Sequence, residues 1–215
     1  MSTPTPAVVA PELSLGGYLS QPGDLEGVGF WPRVGARLID TFVLACVSSM
    51  TAFVFTVVAV AAAAANHQSA TAVGQKLGTV SFTGLGFGLL GDIAYHTICE
   101  GLHGSTVGKR LLGMVVVQED ASPCRVWPAA LRSLAYYIDS LFFGVVGYFA
   151  MQKTLKQQRH GDAWAHTVVC KRTALPAETL RSGGRFFGAI LLAFAAEALV
   201  ILASLLIKLA SQPRP

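Results

Sequence analysis

Arg37 and Asp40 stand three residues apart at the start of a run, Thr41 to Gln75, that contains no Lys, Arg, Asp or Glu. A charge beside or inside a membrane span costs free energy unless it pairs or faces a wet cavity, so each such residue is a candidate for function. A carboxylate withdrawn from water favours uptake of a proton or a cation, and a neighbouring arginine tunes which. Asp92, His96 and Glu100 follow at i, i+4 spacing on one helical face, with His103 beyond. Imidazole titrates near neutral pH and oxygen ligands suit hard ions, so this face fits a proton relay or part of a cation site. Arg132, Tyr136 and Asp139 share a face on a later apolar segment, and Glu197 falls near the middle of the last one. Asp40, Asp92, Arg132 and Asp139, joined by Arg37, are expected to meet between helices. Three acids against two bases would leave a negative charge for a proton or monovalent cation to neutralise. The same residues admit a bland reading, in which Arg37 pairs locally with Asp40, Asp92 pairs across the bundle with Arg132, and Glu100 and His103 sit at the headgroups.

The elements that must position these residues are membrane helices. Thr41–Gln75 exceeds the roughly 20 apolar residues that cross a bilayer. Of the 215 residues, 53% are hydrophobic and only 13% charged, against about 25% charged in soluble domains. Span one is read from about Val34 to Ala65, entered through Phe30, Trp31 and Pro32, and span two from about Leu77 to Leu102. Val115–Val117, a turn at Glu119–Pro123 and Cys124–Trp127 suggest a small hairpin, and Thr167–Cys170 is a further strand that can pair with Met114–Gln118. The last span is Phe186 to Leu209, residues 186–209. Residues 1–28, rich in Pro, Gly and Ser, read as a disordered tail without the pattern of a cleaved signal, so span one doubles as the targeting signal.

The third apolar segment, Pro128–Gln152, is broken by Gly144 and Gly147. The loop after it, Lys153–Arg185, carries Lys153, Lys156, Arg159, Lys171, Arg172, Arg181 and Arg185, whereas the turn after span one carries only Lys76. Positive-inside bias asks that this loop, Arg33, Lys109 and Arg110 all face the cytoplasm. A re-entrant hairpin turning near Gly144–Gly147 satisfies that, while a straight crossing is also long enough.

Gly29-Phe30-Trp31-Pro32-Arg33 with Arg37-Leu38-Ile39-Asp40, then Gly104-Ser105-Thr106-Val107-Gly108-Lys109-Arg110-Leu111-Leu112-Gly113, then Arg132 and Asp139, then Asp162 leading to Thr167-Val168-Val169, resemble the RDD family of multi-pass membrane proteins. The resemblance runs from about Gly29 to Arg172, residues 29–172, and leaves the basic linker 173–185 and the last span outside it. The family is named for one arginine and two aspartates. Arg37 and Asp40 match the first two, and Asp162 the third, with Asp139 as its rival; Gly108, Lys109 and Thr167 complete the matched motif residues. Val107 stands where relatives usually have Pro, and His160-Gly161-Asp162 and Ala165-His166-Thr167 also depart from the usual pattern. The resemblance implies, for some members, exchange of monovalent cations for protons.

Other chemistries find little support. Gly86-Phe87-Gly88-Leu89-Leu90-Gly91 fits a dinucleotide fingerprint only formally, because it lies inside a span, where the Gly84–Gly88 step suits close helix packing. Gly104–Arg110 resembles a P-loop faintly, and Lys109 and Arg110 read instead as contacts to anionic lipid headgroups. Cys46, Cys99, Cys124 and Cys170 lack metal or disulfide spacing. His160, Asp162 and His166 read as structural, with Asp162 capping a turn. No nucleophile stands beside a base, and the net charge of +4 is placed where topology explains it. The expectation is therefore an all-α integral membrane helical bundle with about three spanning helices, a glycine-broken re-entrant or spanning segment and a small cytoplasmic β-hairpin. It is neither an enzyme nor a nucleic-acid binder, needs no cofactor or metal, is embedded multi-pass in the inner (plasma) membrane with its N-terminus cytoplasmic, and can form a homo-oligomer. The alternative to exchange is a membrane scaffold that docks a protein or anionic lipid.

Overall fold

A computed structural model describes residues 25–65, 69, 71, 82–153 and 155–210, except for the side chains of 82–85 and 209. Residues 1–24 of the expected tail, and the first part of the expected second span, lie outside the described residues.

Helix α1 spans Phe30–Ala65. Its buried positions near the start are Arg33, Ala36, Asp40 and Leu44, a stripe repeating every three to four residues. The opposite face presents Trp31, Leu38, Phe42 and Phe53, all well exposed. This inverts the soluble pattern, with charges inward and large apolar side chains outward, and suits a helix whose surroundings are lipid. Helix α2, Phe82–His103, and helix α7, Gly183–Ala210, pack extensively against each other. The 22 residues of α2 reach about 33 Å at 1.5 Å per residue, enough to cross the apolar core. Both α1 and the stretch Ala177–Lys208, which takes in all but the end of α7, are long and apolar enough to span by length and composition.

Chain segments between these helices build a polar unit at one end of the bundle. Gly104 closes α2 with φ of +86°, a conformation that favours glycine. Thr106 then caps the short helix α3, Val107–Leu111, by accepting from the Lys109 amide. Strand β1, Met114–Gln118, follows. The hairpin expected with Cys124–Trp127 does not form beyond a single bridge between Val117 and Pro123. Helix α4, Val126–Asp139, begins inside that stretch instead, because Pro128 is tolerated in a first turn where no amide is needed. The partner of β1 is strand β2, Thr167–Lys171, antiparallel with Val116 opposite Val169. This is the long-range pairing that the two β-branched runs allow. Val28 joins the unit by donating its amide to the Val169 carbonyl at 2.8 Å.

The glycine-broken segment is bent, not straight. Helices α4 and α5, Leu141–Met151, meet at 114°. Phe142, Phe143 and Gly144 at the bend all have positive φ, at 52°, 60° and 86°. The turn therefore reaches the expected Gly144–Gly147 region at Gly144 and starts two residues before it. After α5 the chain comes back to α1, where the Gln157 carbonyl accepts from Arg33 Nη2 at 2.8 Å. This contact brings the chain after the bent pair back to the start of α1, a geometry that fits the re-entrant reading, while a bent crossing of the pair is also long enough. Helix α6, His160–Trp164, packs on α4, with Gly161 leaving no room for a Cβ beside Ala135. The expected linker 173–185 carries two 3₁₀ turns, Arg172–Ala174 and Ala177–Thr179, with Leu175 and Leu180 packed against the sheet.

Candidate functional site

The charged residues do not meet as one cluster. They divide into three groups around the inner end of the bundle. The most buried centres on Asp162 and Glu100. Asp162 receives Arg33 Nη1, lies 2.7 Å from Arg132 Nη1 and 3.8 Å from Arg159 Nε. Burial pushes its carboxyl up, but the charges of Arg132, Arg33 and Arg159 outweigh that and hold it well below the usual carboxylate range. Its Oδ2 also accepts the Arg159 amide at 3.2 Å, closing the first turn of α6. Arg132 turns its Nε to Glu100 Oε2 at 3.0 Å, and Glu100 Oε1 takes the Lys109 ammonium. Burial lowers the Lys109 pKa while the Glu100 charge opposes the shift. Lys109 and Glu100 are thus paired in the interior, not spread over headgroups. Arg132 pairs with Glu100 and Asp162, not with Asp92.

Asp40 and Asp139 form the second group, and each serves a short helix. Asp40 Oδ1 accepts the Gly108 amide at 2.8 Å and the Tyr95 hydroxyl at 2.9 Å, and Oδ2 accepts the Thr106 hydroxyl at 2.6 Å. Gly108 is required there, since a Cβ would fall on the Ala36 carbonyl. Asp139 accepts the amides of His160 and Gly161 at 3.2 and 3.1 Å and faces His160 Nδ1 at 2.9 Å. Two acids from membrane helices therefore hold the N-terminal turns of α3 and α6.

The third group is half-buried. Arg37 pairs with Asp92 at 2.5 Å rather than with Asp40, and stacks over Tyr136 at 4.1 Å. Tyr137 donates to Asp92 at 2.8 Å, and His96 lies 3.7 Å from both Asp92 and Glu100. Deeper along the bundle, Glu197 of α7 accepts from Ser48 of α1 at 2.7 Å and presses on Gly91 of α2. Gly91 is thus a close-approach glycine of span two, whereas Gly86 and Gly88 have nothing within 4 Å.

These groups surround one cavity of about 320 Å³. Asp40, Glu100, Arg37 and Arg132 line its polar wall, and Phe30, Leu38 and Phe143 its apolar side. The expected negative excess is absent. Arg33, Arg37, Lys109, Arg132 and Arg159 face Asp40, Asp92, Glu100, Asp139 and Asp162, five bases to five acids. Arg33, at the start of α1, and Lys109 and Arg159, from the segments that follow the spans, supply the balance. The contribution of Lys109 and Arg159 was hidden because connecting segments bring them in, whereas Arg33 stands seven residues before Asp40 on one helical face. His160, Asp162 and His166 do not converge: His160 faces Asp139, and His166 is 80% exposed beside Glu119.

Apolar helices with their charges turned inward, capped by a polar unit, define a helical membrane protein. The RDD family model matches residues 28–166, and the chain belongs to the RDD family. Neither a curated protein nor a solved structure matches it. The family match takes in the Asp40, Glu100, Arg132 and Asp162 groups and stops before α7 and Glu197.

Proposed function

We propose that the protein exchanges a monovalent cation for a proton across the inner membrane, with Asp40 as the residue that binds them in turn. One observation carries this reading: Asp40 lines the cavity, is 1% exposed, and receives only uncharged donors, from Tyr95, Thr106 and Gly108. Of the other deeply buried acids, Glu100 and Asp162 each have at least two basic partners, Asp139 faces His160 and two backbone amides, and Glu197 accepts from Ser48 away from the cavity lining. A carboxylate without a counter-ion in a low-dielectric wall gains most from a proton or a bound cation. The few spans of one chain favour a homo-oligomer as the transporting unit. Positive-inside bias, read from the basic segment 153–185 and Arg33, supports a cytoplasmic polar unit and, with it, a cytoplasmic N-terminus.

The test is proton flux in proteoliposomes under a sodium or potassium gradient. Wild type is expected to show cation-driven flux, and Asp40→Asn to abolish it while keeping its size-exclusion profile. Absence of flux from a well-folded wild type sinks the proposal. A second reading, a non-catalytic scaffold, rests on the use of Asp40 and Asp139 as helix caps. It expects Asp40→Asn to lower abundance and thermal stability instead of a transport rate.

A further inference from the structure

We propose that His103, Arg110, Arg172 and Arg181 form a binding site for a phosphate group at the boundary between the membrane helices and the polar unit. His103 ends α2, is 2% exposed, and neither ring nitrogen has a hydrogen-bond partner. The charges that act on its ring are three arginines: Arg110 from α3, Arg172 from the turn after β2, and Arg181 from the segment before α7. Phe186, at the start of α7, closes one side, 4.9 Å from the imidazole and 5.5 Å beneath the Arg110 guanidinium.

No carboxylate among the described residues pairs with any of these arginines, in contrast to the five-to-five balance around the cavity. Arg181 is fixed by donating to the Gly101 and Cys124 carbonyls at 2.7 and 2.9 Å. Arg110 and Arg172 each keep a buried Nη1 without a partner. Burial and the neighbouring Arg110 charge both lower the Arg172 pKa, a sign that the two cations repel. Buried donors without acceptors, and like charges without a counter-charge, are each destabilising. An anion that offers several acceptor oxygens relieves both at once, and guanidinium groups match phosphate geometry best. The site stands apart from the exchange cavity and does not depend on that function. His103 and Arg110 lie within the family match, and Arg172 and Arg181 lie beyond it, so the site joins a residue pair of the matched region to a pair from the segment that follows.

The ligand is either a lipid phosphate or a free phosphate, and the experiment separates them. Full-length protein in detergent is titrated with phosphatidylglycerol, with phosphatidylcholine, and with inorganic phosphate against chloride at matched ionic strength, read by native mass spectrometry and thermal shift. Wild type is expected to hold one phosphatidylglycerol, or to be stabilised by phosphate. Arg172→Gln is expected to weaken that binding about tenfold, the loss of one charge-assisted contact. Lys171→Gln, the same charge change on an exposed neighbour, is expected to leave it unchanged. Without ligand, Arg172→Gln is expected to melt no lower than wild type, because it removes repulsion; a purely structural arginine would melt lower. If Arg172→Gln does not fold, Arg110→Gln is read the same way. Preference for phosphatidylglycerol assigns the lipid, and response to phosphate alone assigns the free ion. Wild type that binds neither probe overturns the proposal, as does equal loss in Lys171→Gln.

Discussion

Arg132 of the membrane helix α4 and Asp162 of the loop helix α6 lie 2.7 Å apart, both nearly inaccessible. This pair ties the bent α4–α5 segment to the polar unit, and Arg33 ties α1 to the same carboxylate. Asp162→Asn leaves two buried guanidinium groups short of a counter-charge, a loss on the order of 3–5 kcal/mol. The expected result is a large drop in melting temperature in detergent and low recovery from membranes. Wild-type stability of Asp162→Asn would show that Glu100 alone can hold the arginines.

The same group sets an acid limit. The Asp162 carboxyl, ordinarily near 3.8, is lower in the folded protein. Its stabilisation is therefore fully present above about pH 4 and is lost as pH falls from there toward the depressed folded value. Melting temperature against pH should be insensitive to this group at neutrality and should decline only in the acid range. In Asp162→Asn that part of the decline should vanish.

Gly108 and Gly86 offer a matched pair. Gly108→Ala drives a methyl into the Ala36 carbonyl and moves the Asp40 cap, so a loss of about 1–3 kcal/mol is expected. Gly86→Ala meets nothing within 4 Å and adds helix propensity, so its stability should equal or slightly exceed wild type. Thermal unfolding of both in one detergent checks the contrast, and equal effects would refute the close α1–α3 approach.

The helices were legible because hydrophobic length is a direct signal, and the β1–β2 pairing because β-branched residues mark both strands. The partners of the charges were not. Arg37 and Asp40 are close enough in sequence to suggest a pair, yet Arg37 reaches Asp92 and Asp40 reaches the Gly108 amide. Spacing along one helix reports which residues share a face, but not which neighbouring element meets that face. Lys109 sits on the short helix α3 and Arg159 at the N-cap of α6, in connecting segments whose approach depends on the whole topology, so the neutral balance emerged only with the fold. Asp162 was recognisable by its motif, and its three arginines were not.

The bend at Phe142–Gly144 decides on which side of the membrane the basic segment lies. If α4 and α5 enter and return, Leu155 and Ser69 lie on opposite faces, because α1 separates Ser69 from the polar unit that Leu155 joins through its carbonyl to the Gly27 amide. In a Cys46→Ser background, which removes the exposed native thiol, Leu155→Cys is expected to react with an impermeant maleimide only in inverted vesicles. Ser69→Cys is expected to react only in intact cells. Phe143 points outward, fully exposed, with a φ that glycine adopts freely. Phe143→Gly should therefore preserve that labelling pattern, whereas a straight α4–α5 span would place both thiols on the same side.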